Sequence, residues 1–205
     1  MTLNHVRCAL FLMLCAAILR AAPVLSGQSF TPVTAVVIPE GRYSRVAIRE
    51  MGREAAHILK KSGVSLRWRI GAPAQSVDGL LVVVKLMGRC DMDGSSAYLV
   101  PGPLGWSHES SGVVLPFSNL ACDNIRGAVE STLAAGNSVR GNYMLGRAMG
   151  RVLAHELYHV MADTAEHGQG GVAQAALSAR ELTSGQMEFR PPDVEAIQSG
   201  LRPGR

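Results

Sequence analysis

The sequence has no strong excess of charge of either sign. Its formal net charge is +4, and two of those positive charges, Arg7 and Arg20, lie in a leading segment of distinct composition. The other arginines are scattered rather than gathered into a patch. A balance this weak leaves no electrostatic footprint for nucleic acid or an anionic membrane surface, both of which call for clustered Lys and Arg. Internal repeats and low-complexity tracts are also missing, which excludes a solenoid or propeller. No apolar run reaches the ~20 residues that a membrane-spanning helix requires.

The longest apolar run, Cys8 to Leu19, follows a short positively charged start and precedes Ala21, Ala22, Ser26 and Gly27. That is the order of a secretory signal. Residues 1–27 are therefore expected to be a signal peptide and 28–205 a single mature domain that is secreted or periplasmic. Cys15 sits in no convincing lipoprotein box, so no membrane association beyond export is expected. Cysteine is scarce, and of the four present Cys8 and Cys15 would leave with the signal. Cys90 and Cys122 remain as an even pair in an exported chain, a candidate disulfide.

What is plentiful is apolar surface. Apolar residues make up 47% of the chain, enough for a real core. Thr34 to Ile38 is a β-branched run stopped by Pro39 and reads as a strand. Tyr43 to Lys61 has helical spacing, with Val46, Met51, Ala55, Ile58 and Leu59 on one face and Gly63 as the stop. Val64 to Ile70 alternates as a half-buried strand, and Leu80 to Met87 is almost continuously apolar, as a central strand would be. Short strand-like pieces follow at Ala97–Val100, Gly105–His108 and Gly112–Leu115, then a loop holding Cys122. Val139 to about Asp163 is helical in character despite Gly146 and Gly150. A short helix is expected from Pro192 to Gln198, with proline at its start. The order predicts an α+β fold: a mixed sheet backed by two helices, with a compact C-terminal piece.

The informative stretch is His155-Glu156-Leu157-Tyr158-His159. Residues four apart lie on one helix face, a turn from each other, so both imidazoles can reach one metal ion. Zinc accepts imidazole nitrogen, and a catalytic zinc takes three protein ligands and a water. Glu156, beside the first ligand, is placed to take a proton from that water and pass one to a leaving amine. One motif thus supplies two ligands for a single catalytic Zn²⁺ and the base. The third ligand is expected from His167, eight residues beyond His159 and just before Gly168, Gly170 and Gly171. Asp163 and Glu166 are nearby alternatives, and Glu181 is another. A competing reading is a binding module with a closed structural zinc site, its fourth ligand drawn from Asp163, Glu166 or Cys90.

The sequence resembles the metzincin group of zinc metallopeptidases. The likeness rests on the His155–His159 motif with His167 behind it, on Ser184-Gly185-Gln186-Met187-Glu188-Phe189, which looks like the Met-turn, and on Pro191 to Gln198, similar to the last helix of matrix-metalloprotease-like domains. The resemblance implies a metalloendopeptidase with a twisted mixed sheet above the metal and a small C-terminal subdomain below it. Met187 would form the apolar floor of the site. Substrate would be a peptide or protein held extended along an edge strand, either Gly105–His108 or Gly112–Leu115, with Trp106 and His108 lining the cleft. The sequence departs from the pattern in three places. His167 lies two residues further on than the usual third ligand. Thr164 falls where the turning glycine is expected. Phe189 stands where several metzincins have a tyrosine.

Overall fold

The computed structural model describes residues 30–72, 76–93, 101–133 and 138–202. The expected signal peptide (residues 1–27) and the strand piece expected at 97–100 lie outside them. In chain order the elements are β1 (Thr31–Pro39), α1 (Arg45–Lys60), β2 (Val64–Ile70), β3 (Leu80–Met87), β4 (Gly105–Ser110), β5 (Val113–Ala121), α2 (Cys122–Glu130), α3 (Ser138–Ala162), a single 3-10 turn at Gly171–Ala173, α4 (Ala179–Thr183) and α5 (Pro191–Gly200). None of the described helices is long and apolar enough to cross a membrane.

The strands form one mixed sheet in the order β2-β1-β3-β5-β4. The first four run parallel, and β4 is the antiparallel edge. Alternation along β1 and β3 turns Val33, Ala35, Val37, Val82, Val84 and Leu86 into the core, all fully buried. The β4–β5 hairpin turns on Ser111 and Gly112, both with positive φ (53° and 79°), as a tight two-residue connection demands. The sequence reading ended the second edge piece at Leu115 because Pro116 follows. The strand instead continues to Ala121. Pro116 is accommodated because the β4–β5 register shifts between Ser107 and Glu109, so the ladder has an irregularity where the missing N–H falls.

Helices α1 and α3 pack on the inner sheet face. Ser44 caps α1 by accepting from the backbone N–H of Val46 and Ala47. The two glycines of α3 let α1 come close. A Cβ on Gly146 would lie 2.4 Å from the Ala47 carbonyl oxygen, and one on Gly150 would lie 2.7 Å from both Glu54 Cβ and the Met51 oxygen. The segment read as a loop around Cys122 is helix α2, which buries Cys122, Ile125 and Val129. Its apolar residues are too few, at three and four apart, to stand out in a periodicity scan. Cys90 and Cys122 form the expected disulfide, with Cα atoms 5.0 Å apart, tying the chain after β3 to the start of α2.

The smaller C-terminal piece is fastened to α3 by a wholly buried arginine. Arg151 Nε donates to Glu54 Oε1 at 2.9 Å. Its Nη1 donates to the carbonyls of Glu181 and of Ser184 (2.9 Å), and Nη2 to that of Gly185 (2.6 Å). One guanidinium thus neutralises a carboxylate from α1 and satisfies the carbonyls at the end of α4. Arg151→Ala should cost about 3–5 kcal/mol, because Glu54 and three carbonyls lose their common partner. Chemical denaturation will check this, and a loss under about 1 kcal/mol would mean that water replaces the clamp.

Candidate metal centre

His155, Glu156 and His159 lie on the second half of α3, where the helix passes beneath the edge strand β4. His155 and His159 are buried, whereas His167 is exposed on the loop that follows. The chain leaves α3 through Asp163, whose φ of 50° reverses its direction. This corrects the expectation at Thr164: the left-handed residue is the aspartate before it, a residue type that adopts this conformation more readily than most. Asp163 is held there by the backbone N–H of Val114, which donates to its Oδ1 at 3.0 Å. The turn returns His167 to the helix. Its ring centre lies 5.3 Å from that of His155 and 4.8 Å from that of His159. One ligand atom from each of the three side chains lies within 4.8 Å of the others.

The hydrogen bonding of the two helical histidines defines what the site holds. His155 Nδ1 lies 2.8 Å from the Val172 carbonyl oxygen, and His159 Nδ1 lies 2.7 Å from that of Thr164. A carbonyl only accepts, so each Nδ1 carries the proton. Burial pushes His155 down to about 4 from its ordinary 6.5, and burial also lowers His159, so both rings are neutral near pH 7. Each Nε2 then bears a lone pair, and the two face each other at 3.1 Å. Neither can donate to the other. Two lone pairs at that distance call for a cation between them, and the residues fit one: three convergent imidazoles, two oriented by carbonyls on their far nitrogens.

Glu156 is buried beside them. Burial raises its carboxyl to about 7 from 4.5, opposed by a hydrogen bond from Ser107. A carboxyl in that range can both take and return a proton near neutrality. The motif faces a cavity of about 550 Å³ between β4 and the loop from Thr164 to Leu177. Trp106 borders this cavity, and it also lines a second one across the sheet. His108 lies outside the first. It points to the other face of the sheet, where its Nε2 lies 2.8 Å from Asn119 Nδ2, in that second cavity.

Three of the alternative ligands have other partners: Asp163 (the Val114 N–H), Glu181 and Cys90. Glu181 completes a capping box at α4, and its carboxylate, lowered by the Ser178 hydroxyl and then by Gln174, accepts from both. Cys90 is in the disulfide. Among the described residues, the three histidines are the one cluster able to hold a metal ion. Met187 is half-buried against the core, in a segment that bends at Gly185 (φ 64°). Phe189 is buried and stacks on Tyr158 with ring centres 5.8 Å apart, so it serves packing. Sequence reading missed Ser107 and Gly105, which β4 brings against Glu156. A serine and a glycine in a short strand carry no distinguishing signal.

No protein-family model matches this sequence, and no curated protein does. Among solved structures, the chain is similar to archaemetzincin from Methanopyrus kandleri, with a TM-score of 0.51 and 13% identity, over 87% of this chain and 98% of that one. At that identity the likeness establishes the fold: a mixed five-stranded sheet with helices, of the archaemetzincin kind.

Two outcomes follow. Purified protein should bind one zinc, measured by elemental analysis. His167→Ala should lose it and Glu181→Ala should keep it; the reverse pattern would transfer the third ligand to the glutamate. In metal-free protein the stability contribution of His155 is complete above about 6.5 and is lost as pH falls through about 4, with His159 acting in the same sense. That of Glu156 is complete below about 4.5 and is lost as pH rises through about 7. Glu156 therefore opposes the histidines between these limits. Glu156→Gln should steepen the rise of metal-free melting temperature with pH across that window, and an unchanged profile would refute the assignment.

Proposed function

We propose that the protein is a zinc-dependent metalloendopeptidase of metzincin type. The observation that carries this reading is the pair of facing Nε2 lone pairs, joined by His167 and flanked by a buried carboxyl at the base of an open cleft. His155, His159 and His167 would hold the ion. When bound there, the ion would supply Lewis-acid polarisation of a substrate carbonyl and a water whose pKa is lowered to about 7. Glu156 is the proton carrier: its carboxylate takes the proton of the attacking water and returns it to the amine that departs. Burial supports that role, since desolvation raises the carboxyl toward the neutral range in which a proton is both taken and returned.

The substrate in this reading is a peptide or protein segment lying along β4, which is the sheet edge and borders the cavity. Backbone pairing with the edge would supply affinity, and side chains directed into the cavity would supply selectivity. In this reading Met187, half-buried in the segment that bends at Gly185, would serve as the Met-turn residue, and Phe189 stands where several metzincins have a tyrosine. The disulfide and the N-terminal apolar segment support action outside the cytoplasm.

Glu156→Gln should keep the zinc and lower kcat by about 10²- to 10⁴-fold, read on a peptide library with the wild type alongside. Zinc-loaded wild type that cleaves nothing in the library, or a variant as fast as wild type, would remove the peptidase reading.

A further inference from the structure

Two residues of β4 face the Glu156 side chain, and both matter to where it can sit. A Cβ on Gly105 would lie 2.8 Å from Glu156 Oε1 and 2.9 Å from Val152 Cγ1. Gly105 therefore leaves room for one carboxyl oxygen, and it lines the cavity. Two residues on, and so on the same face of the strand, Ser107 Oγ lies 2.9 Å from Glu156 Oε2 and 3.1 Å from the Glu156 carbonyl oxygen. The partner behind it is Ser118, directly opposite in the β4–β5 register and almost fully buried, with its Oγ 3.0 Å from that of Ser107. The one hydroxyl proton of Ser107 is directed at acceptors on Glu156. Ser118 is therefore the donor to Ser107, and the two hydroxyls form a chain ending on the carboxyl.

We infer that Ser107, backed by Ser118, is a positioning residue for Glu156: it fixes Oε2 so that Oε1 is presented on the Gly105 side, toward the cavity. The inference rests on the proposed role of Glu156 as proton carrier. A glutamate has three side-chain torsions, and a base gains rate only when it is held within hydrogen-bond reach of the proton it moves. The helix fixes the Glu156 Cα but not the far end of its side chain. The edge strand does that, so the strand that would pair with substrate also orients the base.

The test has two arms on the full chain. In the zinc-loaded protein, Ser107→Ala should lower kcat about 10- to 100-fold while KM and zinc content hold, and Ser107→Thr, which keeps the hydroxyl, should restore most of the loss. An unchanged kcat, or a loss of zinc that explains it, would overturn the inference. In the metal-free protein, Ser107→Ala should lower the melting temperature by about 5 °C, and by clearly less when Glu156 is already alanine, where only the bonds to the backbone carbonyl of residue 156 and to Ser118 are left to lose. Equal losses in both backgrounds would place the value of Ser107 in the strand and overturn the inference. If the wild type binds zinc yet cleaves no peptide, the peptidase reading fails, and the metal-free arm still decides whether Ser107 holds Glu156.

Discussion

Two imidazole nitrogens face each other at 3.1 Å with no proton between them, and much of the rest of the structure is arranged around that pair. The arrangement requires that the Nδ1 protons be engaged elsewhere. Both are given to backbone carbonyls outside α3, Val172 for His155 and Thr164 for His159. Each carbonyl in turn has to be held. The Val172 carbonyl sits in a 3-10 turn fixed on either side, where Gly168 N–H donates to the Ala173 oxygen and Val172 N–H to that of Glu188. Thr164 is set by the reversal at Asp163, itself pinned to β5 by Val114. The C-terminal piece and the sheet edge therefore both act on ring orientation, in the way that outer partners orient metal ligands generally.

Such a site is a stability liability in the absence of a cation. A buried carboxyl, two desolvated imidazoles and opposed lone pairs each favour an opened structure. The compensation lies nearby on the same helix. One turn before His155, Arg151 gathers Glu54, the end of α4 and Gly185 around one guanidinium. Toward the N-terminus of the helix, Gly146 and Gly150 allow α1 and α3 to approach closely enough for backbone and Cβ atoms to touch. A long helix that closes on α1 at Gly146 and Gly150 and is clamped by Arg151 can hold an unfavourable second half without fraying.

The parts of this arrangement that were legible in the sequence are those with a fixed periodicity or a short motif. Strands β2 and β3 and the span of α1 follow from alternation and from apolar residues three and four apart, and His155, Glu156 and His159 from their spacing on one helix. The fold class followed from element order. The misses have physical causes. Helix α2 is short and offers few apolar positions to a pattern. Strand β5 runs through Pro116 because a ladder irregularity sits opposite, a fact belonging to two strands rather than one. The turn at Asp163 uses a residue that tolerates positive φ without being glycine. His108 was assigned to the cleft, and the alternation that puts Ser107 against Glu156 turns its neighbour to the other face.

That last pairing has a wider consequence. In a strand, consecutive side chains serve opposite faces, so an edge strand that meets the histidine-bearing helix has only every second position with which to shape the site. On β4 those positions are Gly105 and Ser107, before the register shift ends the alternation. One makes room for a carboxyl oxygen and the other donates a hydrogen bond to its partner oxygen. Nothing larger than hydrogen fits at the first, and nothing without a donor replaces the second. In the proposed reading, selectivity would come from outside these positions: from Val152 and the Ala175–Leu177 wall, and from the backbone of β4 itself. A short strand in which a glycine and a serine alternate with larger residues is thus the complement of a carboxyl that is both buried and held in one orientation.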